Sequence, residues 1–210
     1  MSQTKKKMMT IVQNIKKLYA DPKYTSLIDV GLFILLICSF HFLYLGWQAI
    51  GYWPIHDAIA NLMQWASNLL YDQTCWCLQY IFGLDITTVT RTHFIFTPDH
   101  EGGFASVGVI AECASLKQWL HWLFLMLIFP GPWKHKAWYI PAGLVIIEWT
   151  NVLRVCGVLI MQIFWPGSFH LAHDYIFKVL FYFVIFLMWV IWVECFVHPK
   201  KKNKKTEITA

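Results

Sequence analysis

Three side chains that together can perform acyl transfer lie within or next to apolar segments in this chain of 210 residues: Cys113, Arg154 and His173. A cysteine thiolate attacks a carbonyl carbon, and a histidine takes the thiol proton and later gives it to the leaving amine. An arginine cannot act as a base, but its guanidinium holds the oxyanion that forms. Cys113 is expected to begin a helix, whose free N–H groups favour a thiolate. These residue types predict an acyl-transfer site, provided that the fold brings them together.

Polar residues near these three in the sequence extend the candidate site: Glu112, Lys117, Glu148, Asn151, His170 and Asp174. Glu148 and Asn151 precede Arg154 by six and three residues, so they share one helix face with it and are expected to orient its guanidinium. The same polar stripe can instead join helices in a packing network. Lys117 follows Cys113 by one helical turn, where it either supports the thiolate, binds a substrate carboxylate or extends to the membrane interface.

Two histidines compete for the acid/base role, and with Asp174 they are also a candidate metal-binding group: His170 and His173. The chain contains no H-E-x-x-H pattern of a metalloprotease and no further cluster of ligand residues. The sequence therefore favours an acid/base histidine over a metal site and leaves the choice between His170 and His173 open. It predicts neither a metal ion nor another cofactor.

Composition indicates a membrane protein, with 58% hydrophobic, 18% aromatic and 14% charged residues and a mean hydropathy of +0.49. Soluble domains carry about 25% charged residues, so this chain could not cover its surface against water. Disordered chains, coiled coils and water-soluble enzymes are excluded. Four apolar runs approach or exceed the roughly 20 residues that cross a bilayer, at 27–50, 113–129, 137–165 and 175–197. The predicted fold class is an all-α polytopic membrane protein with about four main spans, interfacial helices and a small extracytoplasmic β-hairpin.

The basic residues predict an orientation. Of the 17 Lys and Arg residues, 13 lie before the first run, between the second and third, or after the fourth, and such segments stay in the cytoplasm. Segment 51–112 holds one basic and six acidic residues and is expected outside. The expected domains are a cytoplasmic basic segment at 1–26, one membrane catalytic domain at 27–198 and a cytoplasmic basic tail at 199–210. We expect a multi-pass protein of a bacterial or archaeal cytoplasmic (inner) membrane, with its site at the outer face and no nucleic-acid partner.

The outer segment 51–112 has a helical part and a β-rich part. Apolar residues at helical spacing within 55–82 predict one or two amphipathic helices that either lie at the outer leaflet or span the membrane. These apolar residues are Ile55, Ile59, Leu62, Ala66 and Leu69. Residues 86–96 and 104–110, joined by the turn sequence 98–103, predict a β-hairpin over about 84–110 that leads directly into Cys113. Cys75 and Cys77 lie only two residues apart, so a disulfide would need another cysteine within reach. The tryptophans of the apolar runs are expected at membrane interfaces and in lipid-facing packing.

Three short motifs resemble those of the exosortase/archaeosortase family: Ala111-Glu-Cys113-Ala-Ser-Leu, Asn151-Val-Leu-Arg154-Val and Leu171-Ala-His173-Asp. They resemble the Cys, Arg and His motifs of that family, and their order, their placement at outer ends of spans and the preceding hairpin also match. The resemblance covers about residues 84–197. One departure is the Ala-Ser pair after Cys113, where many members have Ser-Gly.

The resemblance implies an integral-membrane cysteine transpeptidase or protease. Family members are thought to cleave C-terminal sorting signals of exported proteins, each made of a short motif, a hydrophobic helix and a basic tail. By this resemblance Cys113 is the nucleophile, Arg154 stabilises the transition state and His173 is the acid/base. The expected partners are exported substrate proteins with such a signal, and the lipid bilayer. The polar stripe alone leaves an alternative, a non-enzymatic membrane subunit such as a transporter component or an assembly scaffold.

Overall fold

The computed structural model describes residues 22–89 and 93–198. Within these residues, two helices are followed by three strands and then by three more helices: α1 (Pro22–Ala49), α2 (His56–Trp76), β1 (Thr87–Val89), β2 (Phe94–Pro98), β3 (Phe104–Gly108), α3 (Leu116–Ile128), α4 (Trp133–Phe164) and α5 (Phe177–Trp192). Three π-helical turns adjoin them: Cys77–Ile81 after α2, Leu171–Ile176 before α5 and Val193–Val197 after α5.

Three helical segments in the described part of the chain are long and apolar enough to cross a membrane: Ser26–Ala49, Trp133–Phe164 and Val179–Val197. They correspond to the first, third and fourth predicted spans. Helix α3, in place of the second predicted span, has 13 residues and is about 20 Å long, short of the roughly 30 Å of hydrocarbon. The chain is therefore a mostly helical membrane protein with a small sheet, and the count of four spans is not confirmed.

Helices α3 and α4 form an antiparallel pair around the turn at Pro130. The Trp122 indole donates a hydrogen bond to the Ile140 carbonyl at 3.2 Å, and its ring packs directly on Gly143, where a Cβ would clash with it. The Lys136 ammonium donates to the Phe129 carbonyl at 2.7 Å and is buried. Lys136, expected as a marker of cytoplasmic orientation, thus satisfies a carbonyl at the end of α3 that no residue of that helix can satisfy.

Helix α5 packs antiparallel to α4 as well. The Tyr139 hydroxyl of α4 donates to the Met188 carbonyl of α5 at 2.7 Å, and the Phe177 ring packs on Gly157. Near the Pro130 turn, buried aromatic and aliphatic residues of α1, α3, α4 and α5 form the inner cluster, which includes Phe33, Trp122, Phe129, Ile147, Trp189 and Trp192. The expectation that the tryptophans lie at membrane interfaces is wrong for Trp122, Trp189 and Trp192, because their rings fill this core.

A three-stranded antiparallel sheet in the order β1-β2-β3 occupies the other end of α4. The predicted hairpin is present as β2 and β3, whose register runs from Phe94↔Gly108 to Pro98↔Phe104. Its turn is closed by Asp99, whose carboxylate accepts hydrogen bonds from the N–H groups of Glu101 and Gly103. The strand expected over 86–96 is not continuous, because β1 ends at Val89 and pairs with β2 as a third strand.

The sheet and helix α2 pack on the C-terminal half of α4. The Gln162 amide donates to the Ser106 carbonyl of β3 at 3.0 Å. Helix α2 confirms the amphipathic helix expected within 55–82, although Leu62, expected on its apolar face, is exposed. The buried residues of this region form the outer cluster, which includes Leu70, Ile95, Val107, Val155, Cys156, Leu159 and Ala172. Cys113 packs against the outer cluster at its edge.

Candidate active site

Cys113 lies in a single 3₁₀ turn, Ala111–Cys113, between β3 and α3. The expectation that Cys113 begins a helix is wrong, because Ala114 adopts an extended conformation and α3 starts only at Leu116. The thiol is half-buried, and its Sγ lies 4.0 Å from the Gly108 carbonyl oxygen at the end of β3. On a turn, the thiol is less crowded by neighbouring side chains than it would be on a helix surface. It also lacks the free N–H groups of a helix N-terminus, which would stabilise a thiolate.

Asn151 ties the turn of Cys113 to helix α4. Its side-chain amide donates a hydrogen bond to the Cys113 backbone carbonyl at 2.9 Å, and the side chain is only 2% exposed. Asn151 lies 18 residues after Trp133, about 27 Å along the helix. The candidate nucleophile is thus held at a fixed position along the axis of α4, and its distance from the Pro130 turn is almost one bilayer thickness.

Arg154 stands one turn further along α4 and is mostly buried. Its positive charge interacts with the Cys113 thiol and with the Tyr182 hydroxyl of α5. A guanidinium in this place stabilises both a thiolate and the oxyanion that a thiolate attack creates. Tyr182 is a site residue that the sequence reasoning missed, because a tyrosine within the apolar run of α5 looks like ordinary membrane-facing packing.

The Glu148 carboxyl faces the Ser115 hydroxyl just before α3. Glu148 is 7% exposed, yet neither of its oxygens completes a hydrogen bond of good geometry within the described residues. Of the two residues expected to orient Arg154, Asn151 binds the Cys113 carbonyl and Glu148 faces Ser115. Asn151 thus holds the segment around Cys113 against α4.

His173 lies in the π-helical turn before α5, half-buried, with its ring stacked on Phe169 at a centroid distance of 5.3 Å. The neighbouring Ala172 is part of the outer cluster that Cys113 also contacts. The packing of Phe177 on Gly157 sets the height of this turn. Since α4 and α5 are antiparallel, the His173 backbone lies about 10 Å beyond that of Arg154, toward the C-terminal end of α4. The structure thus brings Cys113, Asn151 and Arg154 together and places His173 beyond them in that direction.

The remaining predicted site residues lie around this group. His170 is exposed and its ring contacts Phe169 edge-on, and Glu112 is exposed beside Cys113. Lys117 places its ammonium over the Tyr44 ring of α1 at 5.2 Å, a contact that none of its three expected roles includes. The side chain of Asp174 lies outside the described residues.

A further histidine near Cys113 escaped the sequence reasoning. His93 precedes β2 with a positive φ of 51°, and its carbonyl accepts a hydrogen bond from Val109 at 3.0 Å. Its ring contacts the Tyr71 ring at 4.9 Å. Val109 follows Gly108, whose carbonyl faces the Cys113 thiol. His93 was hidden in the sequence because it falls inside the stretch that reads as one continuous strand.

No group of three His, Cys, Asp or Glu side chains within 22–89 and 93–198 is arranged to hold a metal ion. Comparison of the chain with protein-family models, with curated proteins and with solved structures finds no match. The geometry described above is therefore the basis for any assignment of function.

Proposed function

We propose that this protein is an integral-membrane cysteine transpeptidase or protease that cleaves the C-terminal sorting signal of exported proteins at the outer face of the membrane. The observation that carries the proposal is the tethered turn of Cys113. Asn151 fixes the backbone of that turn from α4, and Arg154, one turn along the same helix, directs its charge toward the thiol. A nucleophile and an oxyanion-stabilising cation are thereby positioned by one helix.

In the proposed reaction His173 accepts the proton of the Cys113 thiol as sulfur attacks the carbonyl carbon of the scissile peptide bond. Arg154 holds the oxyanion of the tetrahedral intermediate. The C–N bond then breaks, the leaving amine takes the proton from His173, and a thioester to Cys113 remains. Water or an acceptor amine releases the acyl group. Catalytic hydrogen bonds often tighten only when substrate binds, so the outward position of His173 requires closure of its turn toward Cys113.

The contacts between helix ends support a topology with both termini in the cytoplasm. His198, after α5, lies 2.8 Å from the Asp29 carboxylate near the start of α1, so both ends of the membrane domain are at the same end of the bundle. The Trp192 indole donates to the Pro130 carbonyl at 3.2 Å, which puts the α3–α4 turn there too. Three crossings would leave the two chain ends on opposite sides, so these contacts support a fourth passage.

The segment containing α3 is the proposed fourth passage. This segment runs alongside α4 from Asn151 to the Pro130 turn, a distance of about 27 Å. It is longer than α3 alone because it includes the 3₁₀ turn and Ser115. Helix α4 has 32 residues and is about 48 Å long, so its outer end extends beyond the hydrocarbon and carries the sheet. This arrangement fits a multi-pass protein of a bacterial or archaeal cytoplasmic membrane with its site outside.

A hydrophobic substrate helix has a lipid-facing surface to approach. Leu153, Leu180 and Phe183 lie within one turn of Arg154 or Tyr182 in sequence, and each exposes about half of its side chain. In a bilayer these side chains face lipid or a docked helix. A sorting signal that lies along α4 and α5 would bring the peptide bond preceding its hydrophobic segment to the level of Cys113. The partners we propose are thus exported proteins with a hydrophobic C-terminal segment, presented through the lipid bilayer.

Replacing Cys113 tests the proposal. We expect Cys113→Ala to abolish processing of exported proteins, measured by mass spectrometry of their C-terminal peptides in cells that carry the wild-type protein or the variant. Cys38→Ala, at an exposed position of α1 remote from the site, is the matched control and should process normally. Both variants should insert in the membrane at wild-type levels. Normal processing by Cys113→Ala would show that Cys113 is not the nucleophile.

A second candidate, a non-enzymatic membrane subunit, is favoured by the fact that the Asn151 hydrogen bond is also a packing contact between segments. The rate of Cys113 alkylation as a function of pH separates the two. An enzyme site predicts fast alkylation near neutral pH that slows in His173→Gln. A packing network predicts the reactivity of an ordinary cysteine and no change in His173→Gln.

A further inference from the structure

Three thiols meet where the end of α2 packs on α4. Cys75 and Cys77 close the helical segment of α2, and Cys156 lies on α4, two residues after Arg154. Cys77 and Cys156 belong to the same buried cluster and are 1% and 0% exposed, and the Cys77 N–H donates to the Thr74 carbonyl. The Cys156 Sγ also lies 4.0 Å from the Thr74 carbonyl. The sequence left Cys75 and Cys77 in need of another cysteine within reach, and the fold supplies Cys156.

We propose that Cys77 and Cys156 form a disulfide bond in the mature protein. The bond would join the π-helical turn after α2 to the helix that carries Asn151 and Arg154. This proposal rests on the proposed function, which places this region at the outer face of the membrane, because disulfides persist in oxidising compartments. Cys156 lies 23 residues after Trp133, about 35 Å along α4, which is beyond the roughly 30 Å of hydrocarbon.

The oxidation balances as a thiol–disulfide exchange. The two thiols together lose two protons and two electrons, and the disulfide of a donor protein, a thiol–disulfide oxidoreductase of the outer compartment, is reduced to two thiols. A mixed disulfide with the donor forms first, and the second cysteine of the pair then displaces the donor. Because both sulfurs are buried in the folded protein, the exchange takes place before the end of α2 has packed on α4.

Cys75 is the matched control within the same cluster. Burial raises the pKa of the Cys75 thiol above its usual value, although a hydrogen bond with Tyr71 opposes the shift. Less thiolate is therefore present at neutral pH than for a free cysteine, and thiolate is the form that exchanges with a disulfide. Cys75 is only partly buried and packs against the outer cluster, whereas Cys77 and Cys156 are buried members of it. We expect Cys75 to remain a free thiol.

The test uses the full-length protein from membranes of aerobically grown cells, quenched in acid, denatured and alkylated with N-ethylmaleimide before digestion. We expect a peptide pair linked through Cys77 and Cys156 that separates on reduction. Cys77→Ser and Cys156→Ser should each remove the link and make the remaining partner alkylatable, with a melting temperature several degrees lower. Cys75→Ser should keep the link. Alkylation of both Cys77 and Cys156 in the unreduced wild-type protein, or a link that survives in Cys156→Ser, overturns the proposal.

A sidedness measurement distinguishes this failure from failure of the proposed function. Glu101 is exposed in the β2–β3 turn, so Glu101→Cys is a reporter for the side on which the sheet lies. Labelling of Glu101→Cys by a membrane-impermeant maleimide added outside, combined with reduced Cys77 and Cys156, refutes the disulfide alone. Protection of Glu101→Cys from the reagent refutes the outer-face placement and both proposals with it.

Discussion

The inner and outer clusters are both well packed, but they use their polar groups differently. In the inner cluster the indoles of Trp122 and Trp192 and the hydroxyl of Tyr139 each donate to a backbone carbonyl of another segment. Around the outer cluster, Arg154 and Glu148 act on other side chains, and one of these is the Cys113 thiol. The inner polar groups therefore fix the helices. Of the outer ones, Asn151 and Gln162 also donate to backbone carbonyls of other segments, whereas Arg154 remains available for chemistry. Stability and activity should respond separately to changes in the two regions.

The largest expected effect is on folding, from the inner cluster. Trp122→Ala removes a fully buried indole that packs on Gly143 and donates to Ile140, and should lower the free energy of unfolding by about 3–5 kcal/mol. Thermal unfolding in detergent measures this loss. Activity per folded molecule should remain at the wild-type value, because Trp122 does not contact the Cys113 turn. A variant that folds normally but loses activity would contradict the division between the two clusters.

The reverse result is expected for Arg154. Arg154→Ala should lower the rate of substrate cleavage about 10²–10³-fold, as for the loss of one oxyanion-stabilising group. The melting temperature should change far less than in Trp122→Ala. Arg154→Lys keeps the charge but loses the planar guanidinium, so it should recover only part of the rate. An Arg154→Ala protein that cleaves normally but unfolds at a much lower temperature would favour the packing-network alternative.

The contrast also explains what the sequence could foretell. Apolar runs predicted the long helices, since length and hydropathy alone decide whether a helix spans a bilayer. The Asp99 turn was predictable because its side chain and glycines act locally. The motif of α4 correctly marked Asn151 and Arg154 as neighbours, since helical spacing of three residues puts them on one face.

Other features depended on contacts between distant segments. The positions of His173 and Tyr182 along the axis of α4 are set by the packing of Phe177 on Gly157 and by a π-helical turn. Neither this packing nor the turn has a local sequence signal. Lys136 is buried because it contacts the end of α3, and Cys156 is buried because it contacts α2. The extended conformation of Ala114, which moves Cys113 off the helix, has no signal that we can identify in its neighbours.

The smallest expected effects come from a matched pair of hydrogen bonds, one near each cluster. Asn151→Leu removes the bond to the Cys113 carbonyl, and Tyr139→Phe removes the bond to the Met188 carbonyl. Each loss should lower the free energy of unfolding by about 1 kcal/mol. Only Asn151→Leu frees the turn that carries Cys113. If the transition state of cleavage also loses about 1 kcal/mol of stabilisation, the cleavage rate falls up to about tenfold. Unfolding and cleavage should be measured on both variants. If the two variants cleave at equal rates and are equally stable, the Asn151 hydrogen bond joins segments of the bundle without positioning Cys113, and its role is then structural only.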